Sequence, residues 1–156
     1  MKKMTLLALA AVMALGLTAC GGSSSKSYAD GTYTGQSAMY YAADFATEDD
    51  DESDDTANGY GEVVITIKDG AIAECTFATY EEDGTLKGED YGMQDGEIKN
   101  RDYYNKAQKA NAARDEYAAQ LVEAGSAKDV DCISGATINY NEFLDAVDAA
   151  LEQAEQ

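Results

Sequence analysis

Between Gly61 and Tyr80 the chain places Val63, Ile65 and Ile67 at every second position, breaks at Asp69-Gly70, and resumes with Ile72, Cys75 and Phe77. Period-two apolar runs on either side of an Asp-Gly pair predict a β-hairpin with a two-residue turn. Strict alternation from Ile72 would put Cys75 and Phe77 on the opposite face. A β-bulge near Ala73-Glu74 is therefore expected, returning them to the apolar side. Asp30-Gly31-Thr32-Tyr33-Thr34-Gly35 reads as a short first strand that pairs with a later part of the chain. Further along, Tyr103, Tyr104, Ala107, Ala110, Tyr117, Ala118, Leu121 and Val122 recur at helical spacing, from Asp102 as N-cap to Gly125 as C-terminal stop. Phe143, Leu144, Val147 and Leu151 mark a second helix that starts near Tyr140, with Asn139 and Asn141 as candidate caps. Glu82-Asp83-Gly84 and the stretch from Lys87 to Gly96 are turn and loop in composition. The expected fold class is α+β, a small, mainly antiparallel sheet with two packed helices, in one domain spanning residues 30–156.

The N-terminal segment has a different pattern. Lys2-Lys3, an apolar run from Met4 to Leu17, and the small-residue approach Leu17-Thr18-Ala19 to Cys20 form a secretion signal over residues 1–19. The run is short for a bilayer span, and its end on a cysteine resembles the lipobox of bacterial lipoproteins, which would lipidate Cys20. Residues 20–29, with Gly21-Gly22-Ser23-Ser24-Ser25, read as a flexible tether. The expected location is the cell membrane, lipid-anchored on its extracytoplasmic face.

Charge narrows the partners. The whole chain carries a formal charge of −19. Cleavage before Cys20 removes two of its eleven basic residues and none of its thirty acidic ones, leaving −21. Such a surface repels nucleic acid and anionic lipid, so no nucleic acid is expected as partner, and membrane attachment should come from the lipid. Glu48-Asp49-Asp50-Asp51-Glu52-Ser53-Asp54-Asp55 is a self-repelling acidic loop. No window in it supplies both the sixth-position glycine and the twelfth-position glutamate of an EF-hand, and no metal is expected. The chain has no histidine, which removes Ser-His and Cys-His nucleophilic catalysis and histidine-ligated zinc. Cys75 and Cys132 could form a disulfide in a secreted chain; the preferred reading is two small buried residues, Cys75 on the side of Phe77.

Candidate chemistry lies between the two helices, in Asp131-Cys132-Ile133-Ser134-Gly135-Ala136-Thr137. Average composition would produce Asp-x-x-Ser-Gly-Ala-Thr in a chain of this length on the order of once in several thousand sequences. Gly135 allows a backbone conformation closed to other residues, and Ser134 and Ala136 are small enough to leave the Thr137 hydroxyl accessible. A phosphate there would meet the free N–H groups and positive dipole end of the next helix. The bland alternative is a Ser-Gly turn with Thr137 or Asn139 as a cap.

The motif resembles the flavinylation motif of FMN-binding domain proteins, a family that includes one component each of the sodium-pumping NADH:quinone reductase and the Rnf complex, together with small flavin-carrying lipoproteins of Gram-positive bacteria. Gly31-Thr32-Tyr33-Thr34-Gly35, Gly61-Glu62-Val63-Val64-Ile65 with the Asp69-Gly70 turn, and the Tyr91-Gly92 loop also resemble the lipoprotein branch. Cys132 stands where such sequences often carry another small residue, and Asn139 where serine or threonine is frequent. The resemblance implies that Thr137 accepts FMN through a covalent phosphoester, made by a separate flavin transferase, with Asp131, Ser134, Gly135 and Ala136 as recognition and positioning residues. Tyr91 and Tyr140 become candidates for packing against the ring. The implied function is an electron carrier and not an enzyme in its own right, receiving electrons from a membrane donor and handing them to an extracytoplasmic acceptor. Two alternatives remain open: a module holding flavin reversibly, as scavenger or sensor, and an acidic surface lipoprotein with a degenerate motif.

Overall fold

The structure, a computed structural model, describes residues 28–41 and 58–155. The signal segment 1–19, Cys20, Gly21–Ser25 and the acidic block 48–55 lie outside the described residues.

Three strands, β1 (Gly31–Gln36), β2 (Tyr60–Lys68) and β3 (Ala71–Tyr80), form an antiparallel sheet in the order β1-β2-β3. Asp69 and Gly70 both take positive φ, 54° and 74°, the pair required by a tight type I′ turn. The register runs Tyr60↔Tyr80 to Thr66↔Glu74, then jumps to Ile67↔Ile72. Ala73 is thus the extra residue, and the bulge falls where the apolar phase demanded it. Its effect is to put Ile72, Phe77 and Thr79 on the inner face with Val63, Ile65 and Ile67.

Two helices cover that face: α1 (Arg101–Ala124) lies on β3, and α2 (Thr137–Ala154) lies across β1 and β2. Phe77 meets Phe143 edge-on at 5.0 Å, and Tyr117 stacks on Phe143 at 5.7 Å, so one aromatic cluster joins sheet and both helices. A side chain at Gly35 would collide with the Ala146 carbonyl oxygen and the Ala150 nitrogen, so α2 seats against β1 only because position 35 carries no Cβ. The chain entering β1 is tied to the end of α2, with the Ala29 N–H donating to the Ala154 carbonyl at 2.8 Å and Tyr28 bridging Glu155.

Three local expectations need correction. The N-cap of α1 is Asn100, whose side-chain oxygen accepts from the Tyr103 N–H at 3.0 Å; Asp102 falls in the first turn, where its charge complements the dipole. The C-terminal stop at Gly125 stands as expected, with φ 68°. Helix α2 starts at Thr137, three residues ahead of Tyr140, with Ala136 at the N-cap position and no side-chain cap. Neither Asn139 nor Asn141 caps it. Asn139 is buried and donates its amide to the Ala110 carbonyl of α1 at 2.8 Å. Finally, Cys132 is exposed, not buried; Cys75 is half-buried, its thiol pushed up to about 12 by burial, and both are free.

Candidate functional site

The loop joining the helices is held from α1. Tyr117 is fully buried, and its hydroxyl accepts from the Ile133 N–H at 3.0 Å while donating to the Ala136 carbonyl at 3.1 Å. One oxygen thereby closes both ends of the Ile133–Ala136 turn, which is also bridged by the Ala136 N–H to the Ile133 carbonyl at 3.0 Å. Tyr140 reaches back to the Val130 carbonyl at 3.0 Å, and Gln120 accepts from the Asp131 N–H at 2.7 Å. These contacts tie the loop to α1 and to the first turn of α2.

The consequence is an exposed Thr137 at the first position of α2. The first N–H groups of any helix lack intrahelical partners, and here neither a cap side chain nor a first-turn acid compensates them. Gly135 has φ 83°, and a Cβ built on it would lie 3.3 Å from Lys109 Nζ, which places an ammonium group from α1 directly over the turn. Free N–H donors, the positive dipole end and a lysine are the donor set of a phosphate site. The motif residues therefore fit a phosphoryl group at Thr137 on this structure's own terms. Ser134 and Gly135 share the exposed turn with Thr137, and Ala136 is buried beneath it. Asp131 is also exposed, but it stands at the start of the loop, anchored through its backbone at Gln120.

Beyond the motif lies a second polar group, which apolar periodicity could not reveal. One face of α1 binds the carbonyls of the loop after β3. Tyr104 donates to Glu89, Gln108 to Glu89 and Tyr91, Asn111 to Gly88, and Arg114 to Lys87, at 2.9 to 3.2 Å. Lys87 is buried, with its ammonium 5.2 Å from the centre of the Tyr91 ring. Arg114 also donates to the buried Thr79 hydroxyl at 3.2 Å. Facing both cations is Glu142 on α2, fully buried, with neither carboxylate oxygen hydrogen-bonded. Burial pushes its carboxyl up to about 7, against the pull of Lys87 and Arg114. Burial likewise lowers Lys87 and raises Tyr91. The two ring-packing candidates are both engaged: Tyr91 beside Tyr103 and under Lys87, and Tyr140 against Tyr117.

The chain is thus an α+β domain whose second helix starts uncapped at an exposed threonine. The FMN-binding domain family matches residues 57–152, and the chain belongs to that family. It is a flavin-binding protein, and FMN is the flavin of the family. No curated protein matches the chain. Among solved structures, the CPE2226 protein from Clostridium perfringens is similar in fold, with 22% identity and a TM-score of 0.52, over 81% of this chain and 88% of that one.

Proposed function

We propose that the domain carries FMN covalently, through a phosphoester to the Thr137 hydroxyl, and serves as a lipid-anchored extracytoplasmic electron carrier. The observation that carries this reading is Thr137 itself, exposed at the uncapped start of α2 within Asp-x-x-Ser-Gly-Ala-Thr. Bound FMN supplies one- and two-electron chemistry at its ring. The chain's own residues do the rest. The first-turn N–H groups of α2 and Lys109 would hold the phosphate, the Tyr117 hydroxyl fixes the turn that would present it, and Gly135 carries no side chain that would block the approach.

A covalent link suits a protein outside the cell, because a reversibly held cofactor is lost wherever free FMN lies below its dissociation constant. The link is made by a separate flavin transferase. Lipidation of Cys20 holds the carrier at the membrane, between a membrane electron donor and an extracytoplasmic acceptor. The reaction with either belongs to those partners, so the domain is a carrier and not a reductase.

Intact mass and in-gel fluorescence after denaturation test the link. Co-expressed with a flavin transferase, the mature domain should gain the mass of one FMN residue, and Thr137→Ala should gain none. If neither gains mass while the native protein stays yellow, flavin is held reversibly and the covalent reading fails. If both gain it, the acceptor is another hydroxyl.

A further inference from the structure

Glu142 is the feature that flavin attachment at Thr137 does not use. It lies five residues into α2, about 7.5 Å of helix rise from the acceptor position. Its backbone and Cβ pack on Gly61, where a side chain would come within 3.0 Å of Glu142 Cβ. Both oxygens are shut off from solvent and from hydrogen-bond donors among the described residues. A carboxylate so placed lacks the hydrogen bonds that normally help keep it ionised in the interior.

The groups facing it come from every neighbouring element. The loop after β3 contributes Lys87 and Tyr91, and Glu81 at its start acts on both of them. Helix α1 contributes Arg114, which itself feels Asp115. The segment after β1 contributes Tyr40, whose hydroxyl donates to Asp145 one turn further along α2 at 2.7 Å. From the sheet, the Gly61 backbone packs on Glu142, and the Thr79 hydroxyl accepts from Arg114. The buried Lys87, the half-buried Arg114 and the Glu142 carboxylate thus share this end of the sheet, the end where α2 begins. Protonation of Glu142 changes the charge of that cluster by one.

We propose that Glu142, buried within the electrostatic reach of Lys87 and Arg114, is a proton-accepting site coupled to the charge of the FMN held at the start of α2, so that the domain takes up a proton there when it is reduced. This rests on the reading of Thr137 as the FMN acceptor. The electron comes from an external donor, dithionite in a titration, and the proton comes from solvent. An O–H bond forms on the Glu142 carboxylate, and no bond of the chain breaks. Added negative charge near a desolvated carboxylate raises its proton affinity, and by linkage a protonated Glu142 raises the reduction potential. Glu142 is a positioning and tuning residue; it touches no reacting atom.

The test compares midpoint potentials of FMN-loaded wild type and Glu142→Gln in dithionite titrations across pH. Proton uptake by the flavin ring itself is common to both proteins and cancels in the difference. The variant should have the higher potential at pH about 9, and the gap should narrow as pH falls through the Glu142 titration near 7. A gap that is absent, or constant with pH, overturns the proposal. A second arm needs neither flavin nor variant. Carboxyl carbon NMR of the wild-type apo domain should show Glu142 titrating near 7, and titration in the ordinary glutamate range near about 4.3 overturns the proposal even if Glu142→Gln fails to fold. Absence of FMN from the transferase-treated wild type would sink the covalent reading, while the NMR arm would still decide whether the proton site exists.

Discussion

Tyr117 does two jobs with separable energies. Its ring packs between Tyr140 and Phe143, and its hydroxyl bonds two backbone groups of the motif turn. Tyr117→Phe keeps the packing and strands the Ile133 N–H, while the Ala136 carbonyl keeps only the Tyr140 N–H. Losing the two hydroxyl bonds should cost about 2 kcal/mol in urea unfolding, with the m-value unchanged. A fall in m as well would mean that the turn had melted in the native state. Glu142 gives a prediction of another kind. Its folded-state carboxyl titrates near 7, above the ordinary glutamate value. Stability from this group is therefore complete below about pH 4.3 and is lost as pH rises through 7. Glu142→Gln does not titrate, so its stability relative to wild type should rise with pH across that window, by on the order of 3 kcal/mol. The sign of this slope is independent of whatever fixed cost arises from removing the Glu142 charge beside Lys87 and Arg114. Paired pH series of thermal or urea unfolding would read it, and a flat difference would rule out the raised titration.

At the scale of elements, helix α1 anchors two loops with two different faces. Tyr117 and Gln120 hold the motif loop, and Tyr104, Gln108, Asn111 and Arg114 hold the carbonyls of residues 87–91. Gln108→Ala removes the side chain that bonds both Glu89 and Tyr91. Faster hydrogen exchange and proteolysis should result within residues 87–92, with global stability down by only about 1 kcal/mol. If protection were lost across β3 as well, the loop and sheet would be one cooperative unit. The same helix shows where sequence patterning reads well and where it stops. The hairpin was legible to the residue, since Asp69-Gly70 dictates the turn and the phase of Ile72 against Phe77 forces a bulge near Ala73. The apolar stripe of α1 was legible for the same reason. Its polar loop-binding face was not, because Gln108, Asn111 and Arg114 fall outside the apolar pattern and most of their partners are backbone carbonyls, which sequence does not display. The start of α2 was misplaced because capping rules search for an oxygen-bearing side chain, and the N-cap position holds Ala136. That missing cap is itself the informative feature, since it leaves the first-turn donors of α2 for a ligand. Within the candidate site, the turn of Ser134, Gly135 and Thr137 could be read from residue types, whereas Lys109 and Tyr117 reach it from far along the chain and carried no signal in the pattern.

The whole molecule has a direction. Tyr28 and Ala29 are fastened to the last residues of α2, whereas Thr137 is its first, so the helix separates the chain's entry into the domain from the candidate flavin site by about 25 Å. Charge acts over the same distances. At −19 for the full chain the protein repels itself in its compact state, and its described ion pairs Lys68–Glu74 and Lys99–Asp95 are exposed and contribute little. The screening length falls from roughly 30 Å at 0.01 M salt to about 10 Å at 0.1 M, which spans the dimension of the domain. Added sodium chloride over this range should therefore raise the melting temperature, by a few degrees for a domain of this size. Reoxidation of the reduced, FMN-loaded protein by a cationic acceptor should slow over the same range, because the screened field no longer steers the encounter. Opposite signs in the two measurements would place both effects in one long-range field. A melting temperature that fell with salt would instead show that attractions between exposed charges outweigh the net repulsion.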